Sequence, residues 1–190
     1  MSYALKGRGT AWLIDHRLAR QQRESREEPG PTDPDHDPRH LAPVPTQVRQ
    51  ERGTSIVSRN DSPDIGFDLS INPYRGCEHG CVYCYARPTH AYHDLSPGLD
   101  FESRLFAKPD AAELLRAELS KPGYRVAPIA LGTNTDPYQP IEGEWRITRA
   151  ILEVLAETDH PVAITTKSDR VVRDLDILAP MAAKGLATVC

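Results

Sequence analysis

The sequence lacks any long apolar run. No stretch approaches the roughly eighteen consecutive apolar residues of a membrane span, and residues 1–20 contain no apolar segment of secretory length. We therefore expect no membrane partner and a cytoplasmic location, where thiols stay reduced. The 190 residues and the hydrophobic content of 39% are sufficient for one buried core and are not those of a fibrous protein.

The sequence also lacks a strong excess of one charge. The formal net charge is -4, with ten Lys and Arg against eight Asp and Glu in residues 1–60 and thirteen against nineteen in the remainder. Neither segment shows the clustered cations of a nucleic-acid-binding surface. Total charge therefore indicates no nucleic-acid partner, although a local basic patch is compatible with it.

Cysteine is scarce, but three of the four cysteines form a C-x3-C-x2-C array of Cys77, Cys81 and Cys84. Cys190 is distant in an apolar run, and we expect it to be a buried strand residue. A ferredoxin-like carrier needs a fourth nearby cysteine and a different spacing. A cubane cluster held by three cysteines instead leaves one iron open, which matches the number of thiols.

The array lies in a stretch built as a loop, because Gly76 and Gly80 allow tight turns at low steric cost. A zinc site of three cysteines and one histidine is the alternative, and it remains open at this point. Its fourth ligand would be one of three nearby histidines: His79, His90 or His93.

Residues 1–60 are expected to be mostly a disordered N-terminal segment and linker. Residues 1–20 offer one short amphipathic turn, and Gln21–Gly53 hold six prolines among mixed charges, too little apolar surface to offset chain ordering. Asp33–His40 is interpreted as solvated linker rather than a metal site, because its prolines keep it extended. We expect order to begin near Asp61 and one domain to span 61–190.

From Asp68 onward, strand patterns alternate with helix patterns. The expected strands are 68–72, 129–131, 161–164 and 186–190, and the expected helices are 110–119, 144–157 and 169–184. The last helix is expected to end at Gly185 and to bury Val172, Leu175, Leu178 and Met181 or Ala182. This alternation predicts an α/β fold with a parallel sheet and right-handed crossovers. The loops after its strands, including 132–140 and 165–168, would form the active-site edge.

The cysteine array resembles the radical S-adenosylmethionine (radical SAM) enzymes, whose signature is C-x3-C-x-aromatic-C. Tyr83 fills the aromatic position, and the flanking runs 72–76 and 85–89 resemble uncharacterised bacterial proteins similar to spore photoproduct lyase. The resemblance covers roughly residues 59–190. It implies a partial (β/α) barrel and a [4Fe-4S] cluster on Cys77, Cys81 and Cys84.

The resemblance also implies an enzymatic activity. In that family, S-adenosyl-L-methionine chelates the open iron, a low-potential donor supplies an electron, and the resulting 5′-deoxyadenosyl radical abstracts hydrogen from a substrate. Because the family acts on nucleic acids, peptides and small metabolites, the substrate here stays unknown.

Five further residues receive roles from the resemblance alone. Tyr83 would lie against the adenosine, Tyr85 matches a tyrosine that relays hydrogen and is the catalytic candidate, and Thr135 with Asp136 matches a Ser-Asp pair at the methionyl end. Lys167 matches a lysine that pairs with the cofactor carboxylate. Without the resemblance, Lys167 would be interpreted as a solvent-facing lysine at a helix start, where the helix dipole disfavours a cation.

The sequence departs from the lyase pattern at two places. Thr133 stands where the lyase has a cysteine that returns a hydrogen atom, and an O–H bond is a much poorer donor than S–H. We therefore expect no repair of the spore photoproduct. The family also continues for two more strand-helix units, so we expect this chain to be an incomplete fragment, truncated at the fourth strand.

Overall fold

The computed structural model describes residues 7–10 and 44–190, and these fall into two compact units. The first unit takes Gly76–Leu105 together with the described residues up to Gln47. The second takes Val48–Arg75 and Phe106–Cys190. Most of the expected N-terminal turn and linker, including Asp33–His40, lies outside the described residues, so those expectations stay predictions.

Eight strands occur among the described residues. They are β1 (Gln47–Gln50), β2 (Val57–Arg59), β3 (Leu69–Ile71), β4 (Tyr74–Arg75), β5 (Arg104–Ala107), β6 (Ile129–Leu131), β7 (Val162–Ile164) and β8 (Ala187–Val189). The same residues form five α-helices, which are α1 (Leu99–Ser103), α2 (Ala111–Leu119), α3 (Glu142–Trp145), α4 (Ile147–Glu157) and α5 (Leu175–Ala183). Two 3-10 helices span Arg87–His93 and Asp169–Asp174.

The second unit is built on a five-stranded sheet with the order β2-β3-β6-β7-β8. Strands β3, β6, β7 and β8 run parallel, and β2 pairs antiparallel with β3. All residues of β3 and β6 are buried, as expected for central strands of a parallel sheet covered on both faces. The α/β fold and the parallel sheet are therefore confirmed.

Strands β1 and β2 lie upstream of Asp61, where we expected linker. Their side chains are mostly exposed, with only one half-buried residue in each strand, so no apolar alternation marks them in the sequence. β1 belongs to a second sheet with the order β1-β5-β4, in which Tyr74 pairs with Ala107. Apart from these two strands, the expectation that the ordered domain begins near Asp61 stays a prediction.

Helix α4 carries the expected apolar face. Ile151 and Leu155 are fully buried, and Ile147 and Val154 lie beside them in the core. The helix expected over 144–157 is interrupted, however, because Arg146 adopts a left-handed backbone with φ 51° between α3 and α4. A single 3.6-residue period gives no signal for such a break.

The helix expected over 169–184 begins as a 3-10 helix and becomes α5 only at Leu175. The tighter turn rotates its apolar residues off the buried face. The expectation that Val172 and Leu175 are buried is therefore wrong, since they are 61% and 52% exposed, whereas Leu178 and Met181 are buried. The helix ends as expected, with Gly185 in a left-handed conformation and its amide 2.9 Å from the Ala182 carbonyl.

Cys190 follows strand β8 and is exposed, so the expectation that it is a buried strand residue is wrong. The reason is the position of β8 at the edge of its sheet, where β7 is its pairing partner and two of its three residues are exposed. Among the described residues, no helix combines the length and the apolar character needed to cross a membrane.

Candidate functional site

The cysteine loop, residues 76–87, lies in the first unit and is wound into three successive turns. The carbonyl oxygen of Cys77 accepts from the Gly80 amide at 3.3 Å, that of Cys81 from the Cys84 amide at 3.2 Å, and that of Cys84 from the Arg87 amide at 3.4 Å. Each cysteine therefore begins a turn, and this spacing presents three thiols along one short, tightly wound stretch of backbone.

Two glycines make this winding possible. Gly76 and Gly80 have φ of 72° and 60°, in the left-handed region that side chains rarely adopt. A Cβ at Gly76 would also lie 2.6 Å from Leu105 and 2.8 Å from the Phe101 carbonyl oxygen. The expectation of a glycine-dependent loop is confirmed.

The three thiols differ in exposure. Cys77 is buried against Ala86 and Phe101, whereas Cys81 and Cys84 are partly exposed, and none of the three forms a disulfide. Within residues 7–10 and 44–190, no three His, Cys, Asp or Glu side chains form a group that could hold a metal ion. The three thiols are of the chemical type that binds an iron-sulfur cluster or zinc. In this structure, however, their side chains do not converge on one point.

Arg87 braces the loop from its C-terminal end. Its guanidinium donates to the carbonyl oxygens of Gly80 at 2.9 Å and Cys81 at 3.0 Å, and it pairs with Glu102 at 2.6 Å. The same group lies 5.3 Å from the centre of the Phe101 ring. Arg87 therefore holds the loop backbone in place.

The apolar side chains on either side of Cys84 point outward. Val82, Tyr83 and Tyr85 are each more than 70% exposed. His90, by contrast, is fully buried, with Nε2 2.8 Å from the Arg104 carbonyl oxygen. Burial lowers the pKa of His90 to about 4, so the imidazole is neutral at neutral pH.

In the second unit, polar side chains join the loops at the carboxyl ends of β3, β6 and β7. Asn72, after β3, donates to the Thr133 hydroxyl at 2.9 Å and accepts from the Asn134 amide at 2.8 Å. These residues follow parallel neighbouring strands, so their loops meet at one edge of the sheet, as expected. The sequence did not single out Asn72 as the group that joins them.

Asp136 joins the loops after β6 and β7. Its carboxylate accepts from the Thr166 hydroxyl at 2.6 Å and the Lys167 amide at 2.8 Å, and also from the Tyr138 amide at 2.8 Å. Thr135 is buried and donates to the Tyr74 carbonyl at 3.2 Å. Thr135, Asp136 and Lys167 thus come together at this edge, and their expected contacts with a cofactor stay predictions.

A buried polar network in the same unit was missed by sequence reasoning. The Glu142 carboxylate, fully buried, accepts from the Tyr74 hydroxyl, from Arg173 at 2.7 Å and from the Thr148 amide at 3.0 Å. Burial and the neighbouring Glu142 carboxylate raise the pKa of Tyr74 well above its usual value. The sequence offers no signal for this network, because Glu142 and Arg173 are ordinary surface residue types.

Asp174 continues that network. It accepts from Arg149 at 2.9 Å, from Arg173 at 2.7 Å and from the Tyr138 hydroxyl at 3.1 Å. Burial alone would raise the pKa of Asp174, but these donors hold it below its ordinary value. The carboxylate is therefore ionised, and the network is charge-balanced by its two arginines.

Comparison with known proteins gives relatives but no family model and no solved structure that matches. The uncharacterized protein Rv2578c of Mycobacterium tuberculosis and the uncharacterized protein Mb2609c of Mycobacterium bovis are each 46% identical to this chain over 118 residues. The uncharacterized protein MJ0683 of Methanocaldococcus jannaschii is 32% identical over 112 residues.

The match covers only part of each protein. It takes 62% of this chain and 35% of the mycobacterial relatives, and 59% of this chain and 40% of the archaeal one. The aligned stretch therefore spans well under half the length of these relatives. Their names state no activity, so activity is inferred from this chain's own residues.

Proposed function

We propose that this chain is part of a radical SAM enzyme in which Cys77, Cys81 and Cys84 hold a [4Fe-4S] cluster. The observation that carries the proposal is the C-x3-C-x-Tyr-C spacing on a loop in which each cysteine opens a turn. Three thiolates can hold a cubane cluster and leave one iron open for a cofactor. When bound, the cluster and S-adenosyl-L-methionine would supply the one-electron cleavage of a carbon-sulfur bond.

The second unit supports the finer fold expectation. Four parallel strands alternate with helices, as they would in the first half of a partial (β/α) barrel of the radical SAM type. The loops at their carboxyl ends are polar and joined to one another, which suits a binding edge. We propose this barrel type as the fold of the complete domain.

The cofactor ligands are proposed as Tyr83, Thr135, Asp136 and Lys167. Thr135 donates its hydroxyl proton to a backbone carbonyl, so its oxygen would serve as an acceptor. The Asp136 carboxylate already accepts from its own loop and from the loop after β7, so it would act chiefly by holding the Lys167 backbone in place. Tyr85 stays the catalytic candidate, and the residue is 76% exposed.

The proposed partners are a low-potential electron donor and a substrate not yet identified, with nucleic acid among the candidates. A zinc-stabilised Cys3His module without catalysis is the competing function. Its fourth ligand would be His79, His90 or His93, and the Nε2 contact of His90 with the Arg104 carbonyl oxygen resembles the support that metal-binding histidines usually have. Metal identity distinguishes the two functions.

Cofactor cleavage tests the proposal. The chain is reconstituted anaerobically with iron and sulfide, reduced, and incubated with S-adenosyl-L-methionine, and 5′-deoxyadenosine is measured by liquid chromatography. We expect 5′-deoxyadenosine from the unaltered chain and from Cys190→Ala, and none from Cys81→Ala. Formation of 5′-deoxyadenosine in equal amount by Cys81→Ala, or zinc in place of iron at the three cysteines, would contradict the proposed function.

A second arm of the experiment adds a spore-type thymine dinucleotide. Thr133 stands at the lyase cysteine position and its hydroxyl is held by Asn72, so it cannot replace a thiol as hydrogen donor. We expect cofactor cleavage without repair. Catalytic return to two thymines would refute this assignment while leaving the radical SAM proposal intact.

A further inference from the structure

The segment Gly7–Thr10, here called the strap, lies directly on the cysteine loop within the first unit. A Cβ on Gly9 would sit 1.6 Å from the Gly80 carbonyl oxygen, and one on Gly80 would sit 2.6 Å from the Arg8 Cβ. Since real Cβ contacts are never that short, two glycines are needed for the backbones to touch. The contact falls between the first and second cysteines of the array.

Glu102 connects the strap to the loop. Its carboxylate is fully buried and accepts from the amides of Arg8 at 2.5 Å and Gly9 at 2.8 Å. Its other oxygen accepts from Arg87 at 2.6 Å, and Arg87 in turn donates to the carbonyl oxygens of Gly80 and Cys81. One carboxylate thus bonds both the strap and the residue that braces the loop.

Glu78, between Cys77 and Gly80, provides a second connection. It is 7% exposed and accepts from the Arg8 guanidinium at 3.1 Å and from the Thr46 hydroxyl at 2.7 Å. The Arg8 guanidinium also donates to the Glu102 carbonyl at 2.8 Å. Removal of the Arg8 side chain would take one charge-assisted hydrogen bond from a buried carboxylate in the loop, which is costly.

The strap contacts described above are concentrated on the cysteine loop. The strap meets the loop at Glu78 through a side chain, at Gly80 through backbone contact, and at Gly80 and Cys81 through the chain of bonds from Glu102 to Arg87. A tail that merely covered the unit would not need to be bound by two buried carboxylates, Glu78 and Glu102. The arrangement therefore fixes the conformation of the stretch that carries the thiols.

We propose that the strap is a positioning element of the cysteine site, with Arg8 as its central positioning residue. It holds the loop between Cys77 and Cys81 in the turn that sets their spacing, and it keeps Cys77 buried. Its importance for metal binding rests on the proposed function, whereas its effect on the thiols does not. Thiol accessibility in the metal-free protein therefore tests the strap alone.

The experiment measures iodoacetamide labelling of each cysteine by mass spectrometry in the full, metal-free chain. In Arg8→Ala we expect Cys77 to be labelled about tenfold faster or more, because charge-assisted hydrogen bonds that close the loop are lost. Cys190, exposed in the second unit, serves as internal reference and should keep its rate. Arg116→Ala, which removes an exposed ion pair elsewhere, should change neither rate.

Glycine variants provide an independent arm. Gly9→Ala forces a Cβ against the Gly80 carbonyl and should speed Cys77 labelling as Arg8→Ala does, whereas Gly66→Ala, with open space around it, should not. Arg8→Lys keeps the charge and the backbone bonds, so it should restore part of the protection and covers the case in which Arg8→Ala fails to fold. Unchanged Cys77 labelling in Gly9→Ala and Arg8→Ala variants with native circular dichroism would overturn the proposal.

The same variants distinguish this proposal from the function. If the unaltered chain takes up no iron but Arg8→Ala still exposes Cys77, the strap stands and the radical SAM function fails. If the unaltered chain and Arg8→Ala bind iron equally well and Cys77 is labelled at the same rate in both, the strap proposal fails and the function stands.

Discussion

Glu102 and Glu142 are both fully buried carboxylates, one in each unit. Each accepts from backbone amides and from one arginine, Arg87 for Glu102 and Arg173 for Glu142. A buried carboxylate is tolerated only when its lone pairs are satisfied, so each residue fixes several backbone positions at once. Neither belongs to a recognisable motif, which is why the sequence pointed to the cysteines and not to the groups that hold them.

Gly132 supplies the first prediction at the residue scale. It has φ 93°, and a Cβ there would lie 2.1 Å from the Thr165 carbonyl oxygen, in the loop after β7. Gly132→Ala should therefore destabilise the chain by about 2 kcal/mol or more, through backbone strain and a forced separation of the two loops. Urea unfolding followed by circular dichroism measures the change.

Gly66→Ala is the matched control, because Gly66 has no positive φ and a Cβ added there would meet no atom within 4 Å. It should be neutral or slightly stabilising, since alanine restricts the unfolded chain. Equal stabilities for Gly132→Ala and Gly66→Ala would mean that the two loops do not approach as the structure shows.

At the scale of elements, the pair α3 and α4 depends on Glu142. Its carboxylate accepts from the amides of Thr148 and Arg149, in the first turn of α4, where backbone amides lack partners within the helix. The same group holds Tyr74 of β4 through the tyrosine hydroxyl. One side chain therefore fixes a helix start and a strand position.

Glu142→Ala should cost about 3 kcal/mol or more of unfolding free energy, because the buried Tyr74 hydroxyl and the Thr148 amide lose this acceptor, while Arg173 keeps its pair with Asp174. The exposed carboxylate of Glu157, paired with Arg116, offers the control, and Glu157→Ala should cost less than about 1 kcal/mol. Chemical denaturation of both variants provides the comparison. A cost for Glu142→Ala no larger than that for Glu157→Ala would show that the network is not formed.

Elements with a buried face and the apolar edge strand β8 could be predicted from the sequence, whereas the polar strands β1 and β2 and the 3-10 turns could not. β3, β6, β7, α2 and α4 follow apolar periodicity and lie where it placed them. β1 and β2 present mainly exposed polar residues, so periodicity carries no information about them. Val172 lies off the expected buried face because residues Asp169–Asp174 form a 3-10 helix, whose period differs from the 3.6 residues of an α-helix.

At the scale of the molecule, the candidate site also combines features that the sequence predicts with features that it does not. The spacing of Cys77, Cys81 and Cys84 and the need for glycine were readable, because both depend on local geometry. The strap was not, since Arg8 and Glu102 are brought together from distant parts of the sequence. The aligned stretch spans only 35% to 40% of the relatives named above, so substrate and partners belong to experiments on the complete proteins.

Iron content decides whether the three cysteines hold an iron-sulfur cluster or zinc. The unaltered chain, Cys190→Ala and the single alanine variants of Cys77, Cys81 and Cys84 are reconstituted anaerobically in the presence of both iron and zinc, and bound metal and sulfide are counted. We expect about four irons and a brown charge-transfer absorbance in the unaltered chain and in Cys190→Ala, and loss of the cluster in the other three variants. Tight, colourless zinc held by these cysteines and a histidine, or a cluster that also needs Cys190, would contradict this expectation.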